Sequence, residues 1–131
     1  MSARRLLILA AALELLTGIA LVVIPEAVVR LLLGEDLSRV GLALARVAGI
    51  GLLSLGLACL PGSAMSVDRS LQAMLCYNGL TTAYLIYLGV AGGLGGTLLW
   101  PAVAIHVVLT VLFARACWPV SKRSEPLGRT S

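Results

Sequence analysis

The chain has 131 residues, 60% of them hydrophobic and only 12% charged, with a formal net charge of +4. A water-soluble domain carries about 45–50% apolar and about 25% charged residues, so a soluble core accounts poorly for this composition, and the length leaves no room for two domains. The positive charge is not a nucleic-acid signature either: the basic residues flank apolar runs, and neither aromatic interleaving nor a nucleic-acid motif accompanies them.

Four apolar blocks near twenty residues long each suffice to cross a hydrocarbon layer of about 30 Å at about 1.5 Å per residue. They predict an all-α fold: a four-transmembrane-helix bundle with a short interfacial helix after span 1. The bundle forms one domain over residues 1–119, and the polar segment 120–131 is expected to be a disordered cytoplasmic tail.

Span 1 is predicted from Arg5 to Ile24. Arg4 and Arg5 before an apolar run look like a signal peptide. The run is longer than a usual signal core, however, contains Glu14 and lacks a small-x-small site before a polar sequence, so it is expected to stay as the first span. Ala11, Glu14, Gly18, Leu21 and Pro25 share one helical face. A charged group at the centre of a span costs about 2.5–3.5 kcal/mol, so Glu14 should face protein or water.

Pro25 opens PEAVVRLLLG, with proline at a helix start and Gly34 at its end. Glu26 and Arg30 stand in the favourable order for an ion pair, and Val28, Val29, Leu32 and Leu33 form a face that could lie on the membrane. A bent extension of span 1 is the rival reading. Ser38 is a candidate cap for span 2, predicted from Val40 to Leu60. Gly41, Ala45, Gly49 and Gly56 make a ladder of small residues for close helix packing, and Arg46 sits inside the span.

A polar link from Ser63 to Arg69 leads to span 3, Ser70 to Val90, the most polar of the four. Tyr77, Thr81 and Tyr84 share one face, and Asn78 and Thr82 an adjacent one. The glycine-rich link Gly89–Gly96 is expected to hold little fixed structure, and without lysine or a preceding strand it is no phosphate loop. Span 4 runs from Trp100 to Trp118 and contains His106, the one histidine. Its two tryptophans lie about 27 Å apart along a helix, a spacing that suits anchors at the two interfaces.

With four spans the termini share a side. That side holds Arg4, Arg5, Arg69, Arg115, Lys122, Arg123 and Arg129, against Arg30 and Arg39 on the other. This imbalance predicts a multi-pass protein of a bacterial inner (plasma) membrane with both termini cytoplasmic. Cys59, Cys76 and Cys117 fall toward the same side, form no C-x-x-C pair, and are read as small apolar packing residues.

Helix rise places Arg46 and His106 about 9 Å, Glu14 about 15 Å and Asn78 about 18 Å below the outer boundary. Each span thus offers one strongly polar side chain to a middle layer. An Arg46–carboxylate bridge to Glu14 would resolve the burial problem of both, with Tyr77, Asn78 and His106 satisfying the remaining groups. Glu14, Arg46, Tyr77, Asn78 and His106 are therefore the ligand-binding or proton-relay candidates, and the same layer could serve only to lock the packing of spans 1 and 2. No catalytic residue, cofactor or metal is expected: there is one histidine, no cluster of His, Asp and Glu, and no nucleophile motif. A quinone site near Tyr77, Asn78 and His106 is the weakest alternative.

The P-E-x-x-x-R-x-L-L-G run of Pro25–Gly34, the arginine and glycines of span 2 and the W-P that opens span 4 resemble the small four-span bacterial membrane proteins of the DoxX-like type, many of unknown function. That resemblance implies a helical membrane bundle and little about activity. The chain is also similar in size to the small multidrug resistance exporters, whose first span carries an acidic residue for protons and cationic drugs. Glu14 matches that residue, but an aromatic-rich substrate surface is missing, and a paired Arg46 would repel a cation. The sequence reading is a non-enzymatic integral membrane protein whose partners are the bilayer and a small polar or lipidic ligand. Nucleic acid is not among them, and a homo-oligomer is left open. The alternative is a proton-coupled exporter using Glu14.

Overall fold

The computed structural model describes residues 2–121 and contains five helices: α1 (Ala3–Val23), α2 (Pro25–Leu33), α3 (Arg39–Cys59), α4 (Val67–Val90) and α5 (Leu99–Ser121). Among the described residues there is no strand. All but α2 are long and apolar enough to cross a membrane, which makes the chain a multi-pass helical membrane protein. Of the expected disordered tail, residues 120 and 121 belong to α5, because the helix continues through Pro119 to Ser121. Residues 122–131 lie outside the described part.

Local chemistry sets the helix ends. Ser2, Ser38 and Ser66 each accept a hydrogen bond from the backbone N–H three residues on, at Arg5, Gly41 and Arg69. Each such cap contributes about 1 kcal/mol. Ser66 starts α4 three residues earlier than the sequence reading placed it. Ile24 leaves the helical region (φ −131°, ψ 52°), as a residue before proline does, and Pro25 restarts the chain as α2. Gly34 closes α2 in the left-handed conformation (φ 79°). The turn that follows carries Asp36 back to Arg30, whose Nε donates to Oδ1 at 2.9 Å. Arg30 therefore pairs with Asp36 and not with Glu26 as the spacing predicted. The pair is exposed and contributes about 0–1 kcal/mol.

The glycine-rich link also departs from expectation. The last carbonyls of a helix lack intrahelical donors, and here the link supplies them: Gly95 N–H donates to Leu33 O at 3.0 Å and Leu98 N–H to Leu31 O at 2.8 Å. Gly96 sits so close to α2 that a Cβ there would collide with the Leu31 carbonyl oxygen. The link is docked backbone to backbone, which is why it is built from glycine.

The long helices pack as two tight pairs, α1 with α3 and α4 with α5. At the α1–α3 crossing a Cβ on Gly18 would meet Gly49 O at 2.8 Å, and one on Gly49 would meet Gly18 O at 2.8 Å. Gly56 lies as tightly against Ala11 and Leu15. Two adjacent rungs of the predicted ladder, Gly49 and Gly56, make this contact, while Gly41 touches only Leu37 and Ser38 of its own chain segment. Contacts between the pairs are sparser, and the backbones of α3 and α5 do not approach one another closely. One apolar core, near the termini, joins Leu6, Leu7 and Ala10 to Cys59, Leu71, Met74 and Phe113. A second, near α2, joins Leu85, Leu99 and Val103, with Leu32 and Leu33 of α2 packed on it. Between lipid-surrounded helices such contacts act through close packing more than through removal from water.

Candidate functional site

Between the two cores lies a cavity of about 510 Å³, within the range of small-molecule sites. All five helices line it, and most of the wall is aliphatic, including Leu13, Leu52, Leu85 and Ile105. Val28 and Leu32 of α2 turn into it. The short helix expected after span 1 thus has a second role: one face of α2 closes the cavity, and Glu26 and Arg30 of the other face are exposed. The polar wall consists of Glu14 and Thr17 from α1, Tyr77 and Thr81 from α4, and His106 from α5.

Glu14 is the most consequential of these. It is 2% exposed, and its Oε1 has no hydrogen-bond partner among the described residues. Buried polar atoms are almost always paired, and leaving one unpaired costs about 1–3 kcal/mol, more for a charged group. Tyr77 is the polar side chain beside the Glu14 carboxyl, and its ring meets that of His106 edge to face at 6.0 Å between centroids.

The predicted bridge between Glu14 and Arg46 does not form. Among the described residues the only ion pair is Arg30–Asp36, and Arg46 is exposed on the outer flank of α3. The cause is the helix crossing. The Gly18–Gly49 contact fixes the rotation of α3 so that Leu52 faces the cavity, and Arg46, six residues earlier, points about 120° away. Arg46 thus drops out of the polar layer, where its long side chain has a route toward the interface instead.

Asn78 and His106 do come together. Asn78 is fully buried. Its Nδ2 donates to Met74 O at 2.8 Å, so its Oδ1 is left to accept, and His106 Nδ1 lies 2.8 Å from it. Nδ1 must therefore carry the hydrogen, and in the neutral ring Nε2 is a free acceptor. One turn on, Thr82 Oγ1 donates to Asn78 O at 2.8 Å and Thr110 Oγ1 to His106 O at 2.7 Å. Both hydroxyl hydrogens are thereby used, so the 3.5 Å approach of the two hydroxyls is a contact without a shared hydrogen. The result is a polar seam that welds α4 to α5.

The five candidates therefore divide. Glu14, Tyr77 and His106 meet at the cavity, Asn78 orients His106 from behind, and Arg46 is elsewhere. Tyr84, which shares a face with Tyr77 on a helical wheel, is 61% exposed and stacks on Tyr87 at 6.3 Å, in the manner of an interfacial aromatic pair. Thr17 and Thr110 escaped the sequence reading. Thr110 had a signal: it follows His106 by four residues as Thr82 follows Asn78. The three cysteines are free, and Cys76 is exposed, so packing accounts for Cys59 and Cys117 but not for Cys76. Among the described residues no three His, Cys, Asp or Glu side chains group as a metal site would require. Comparison with protein-family models, with curated proteins and with solved structures finds no match to this chain.

Proposed function

We propose that this is a non-enzymatic membrane protein that binds a small amphiphile, with the apolar body in the aliphatic cavity and the polar head on Glu14. The carrying observation is the unpartnered Oε1 of a buried carboxyl that lines a cavity of ligand size. The test is native mass spectrometry of the protein purified in nanodiscs. Wild type should retain a lipid or metabolite that the near-isosteric Glu14→Gln loses by at least about tenfold while melting within a few degrees of wild type. Equal retention by both proteins, or none by either, would overturn the reading.

A second reading, proton-coupled export through Glu14, is supported by the position of Arg46. With that guanidinium turned outward, no fixed positive charge among the described residues pairs with Glu14 to oppose a cation there. It requires a pH-gradient-driven flux in vesicles that Glu14→Gln abolishes, and no coupled flux across a broad substrate panel removes it.

A further inference from the structure

We propose that the cavity fills sideways, from the hydrocarbon layer through the seam between α1 and α5, and that it selects a lipid-dissolved amphiphile whose head donates at least two hydrogen bonds. This rests on the cavity reading above and adds to it a route and a head-group chemistry.

The route follows from what is closed. Toward the termini the bundle is filled by the first core, whose side chains have almost no exposure: Leu7 at 1%, Met74 and Phe113 at 0%. At the other end α2 covers it, held by the docked glycine link. The flanks α1–α3 and α4–α5 are the tight pairs, whereas α1 and α5 meet sparsely. Leu16 of α1 and Ile105 of α5 line the cavity and are also 67% and 46% exposed. A side chain that belongs to both a cavity and the outer surface stands at an opening. Leu98, 47% exposed, and the exposed Pro101 also line the cavity, about two turns and one turn before Ile105, and extend the opening along this seam toward the link. Leu16 lies two residues from Glu14, near the middle of its span, so what lies outside the opening is acyl chain and not water.

The head-group chemistry follows from what the polar wall offers. In its ionised form, the one a cationic head would select, Glu14 accepts through Oε1 and donates nothing. Asn78 takes the His106 Nδ1 hydrogen, so Nε2 can only accept, and no packing seals Nε2 off without a partner. Glu14 and His106 both line the cavity, and a head with two or more N–H or O–H hydrogens would satisfy both acceptors once the Glu14 side chain turns its Oε1 to meet it; a primary amine is the simplest such head. A quaternary ammonium brings charge without a donor and leaves both acceptors unpaired.

The experiment uses the full chain in nanodiscs with two probes, octylamine and octyltrimethylammonium, plus uptake of octylamine from probe-loaded vesicles. Octylamine should bind at least about tenfold tighter than its trimethyl counterpart. Leu16→Trp and Ile105→Trp, with Leu16→Phe as a milder variant, should slow uptake at least about tenfold. Leu57→Trp, on an exposed part of α3, should leave it unchanged. Seam variants that load like wild type overturn the route, and equal affinity for the two probes overturns the head-group selection. Failure of wild type to bind either probe overturns the cavity reading and this proposal with it.

Discussion

A carboxyl, a phenol and an imidazole meeting in a hydrocarbon environment bear on stability as well as on function. The hydrogen bond from His106 Nδ1 to Asn78 Oδ1 has no water to replace it, so Asn78→Ala should lower stability by about 1–3 kcal/mol, read as thermal melting in detergent. A double-mutant cycle with His106→Ala should show a coupling of about 0.6–2 kcal/mol, and additive losses would show that the bond contributes nothing. Glu14→Gln and Arg46→Gln, in contrast, should be additive, since the two side chains share no contact. The sequence made Glu14, Asn78 and His106 legible because each is a polar residue in an apolar span. It misled on Arg46 because helix rise gives depth and not direction: equal depth is necessary for a pair, and rotation about the helix axis decides the rest.

Rotation is set at the scale of the helices, by glycine. Gly49→Ala drives a Cβ into the Gly18 backbone and should cost about 1–3 kcal/mol, since backbone cannot step aside as a flexible side chain can. Gly51→Ala, two residues on and with open space around it, should be neutral or stabilise by up to about 1 kcal/mol through helix propensity. Melting of the two variants side by side separates a packing glycine from a merely helical one, and equal melting would remove the crossing as the determinant of α3 rotation. A four-residue ladder reads clearly from sequence, and so does the serine cap at Ser38. Which rungs bear weight does not, because Gly41, Gly49 and Gly56 are alike in spacing and differ only in what the neighbouring helix brings opposite them. The glycine link misled for a related reason. Its composition matches a flexible linker, and only the unpaired carbonyls of α2 reveal that glycine there serves close approach.

Across the whole molecule, four spans were legible because their apolar blocks meet the thickness of a bilayer, and the short helix after the first because Pro25 and Gly34 bracket it. The cavity was not, because it arises where two tight pairs fail to close on one another, a property of no single segment. The excess of basic residues that the sequence assigns to the side of the termini makes the expected orientation testable. Reporter fusions at Gly62 should therefore report the cytoplasm and fusions at Gly93 the opposite side, both glycines standing in open space where an insertion displaces nothing. The reverse pattern would invert the topology. The pairing of α1 with α3, and of α4 with α5, also dictates an order of assembly. Glu14 belongs to the first of these four spans to be translated, whereas the polar wall opposite it follows 63 residues later at Tyr77 and 92 later at His106. Until then the carboxyl must be tolerated by the insertion machinery or by lipid. Biogenesis of this bundle thus hinges on the first of the four spans waiting for the last.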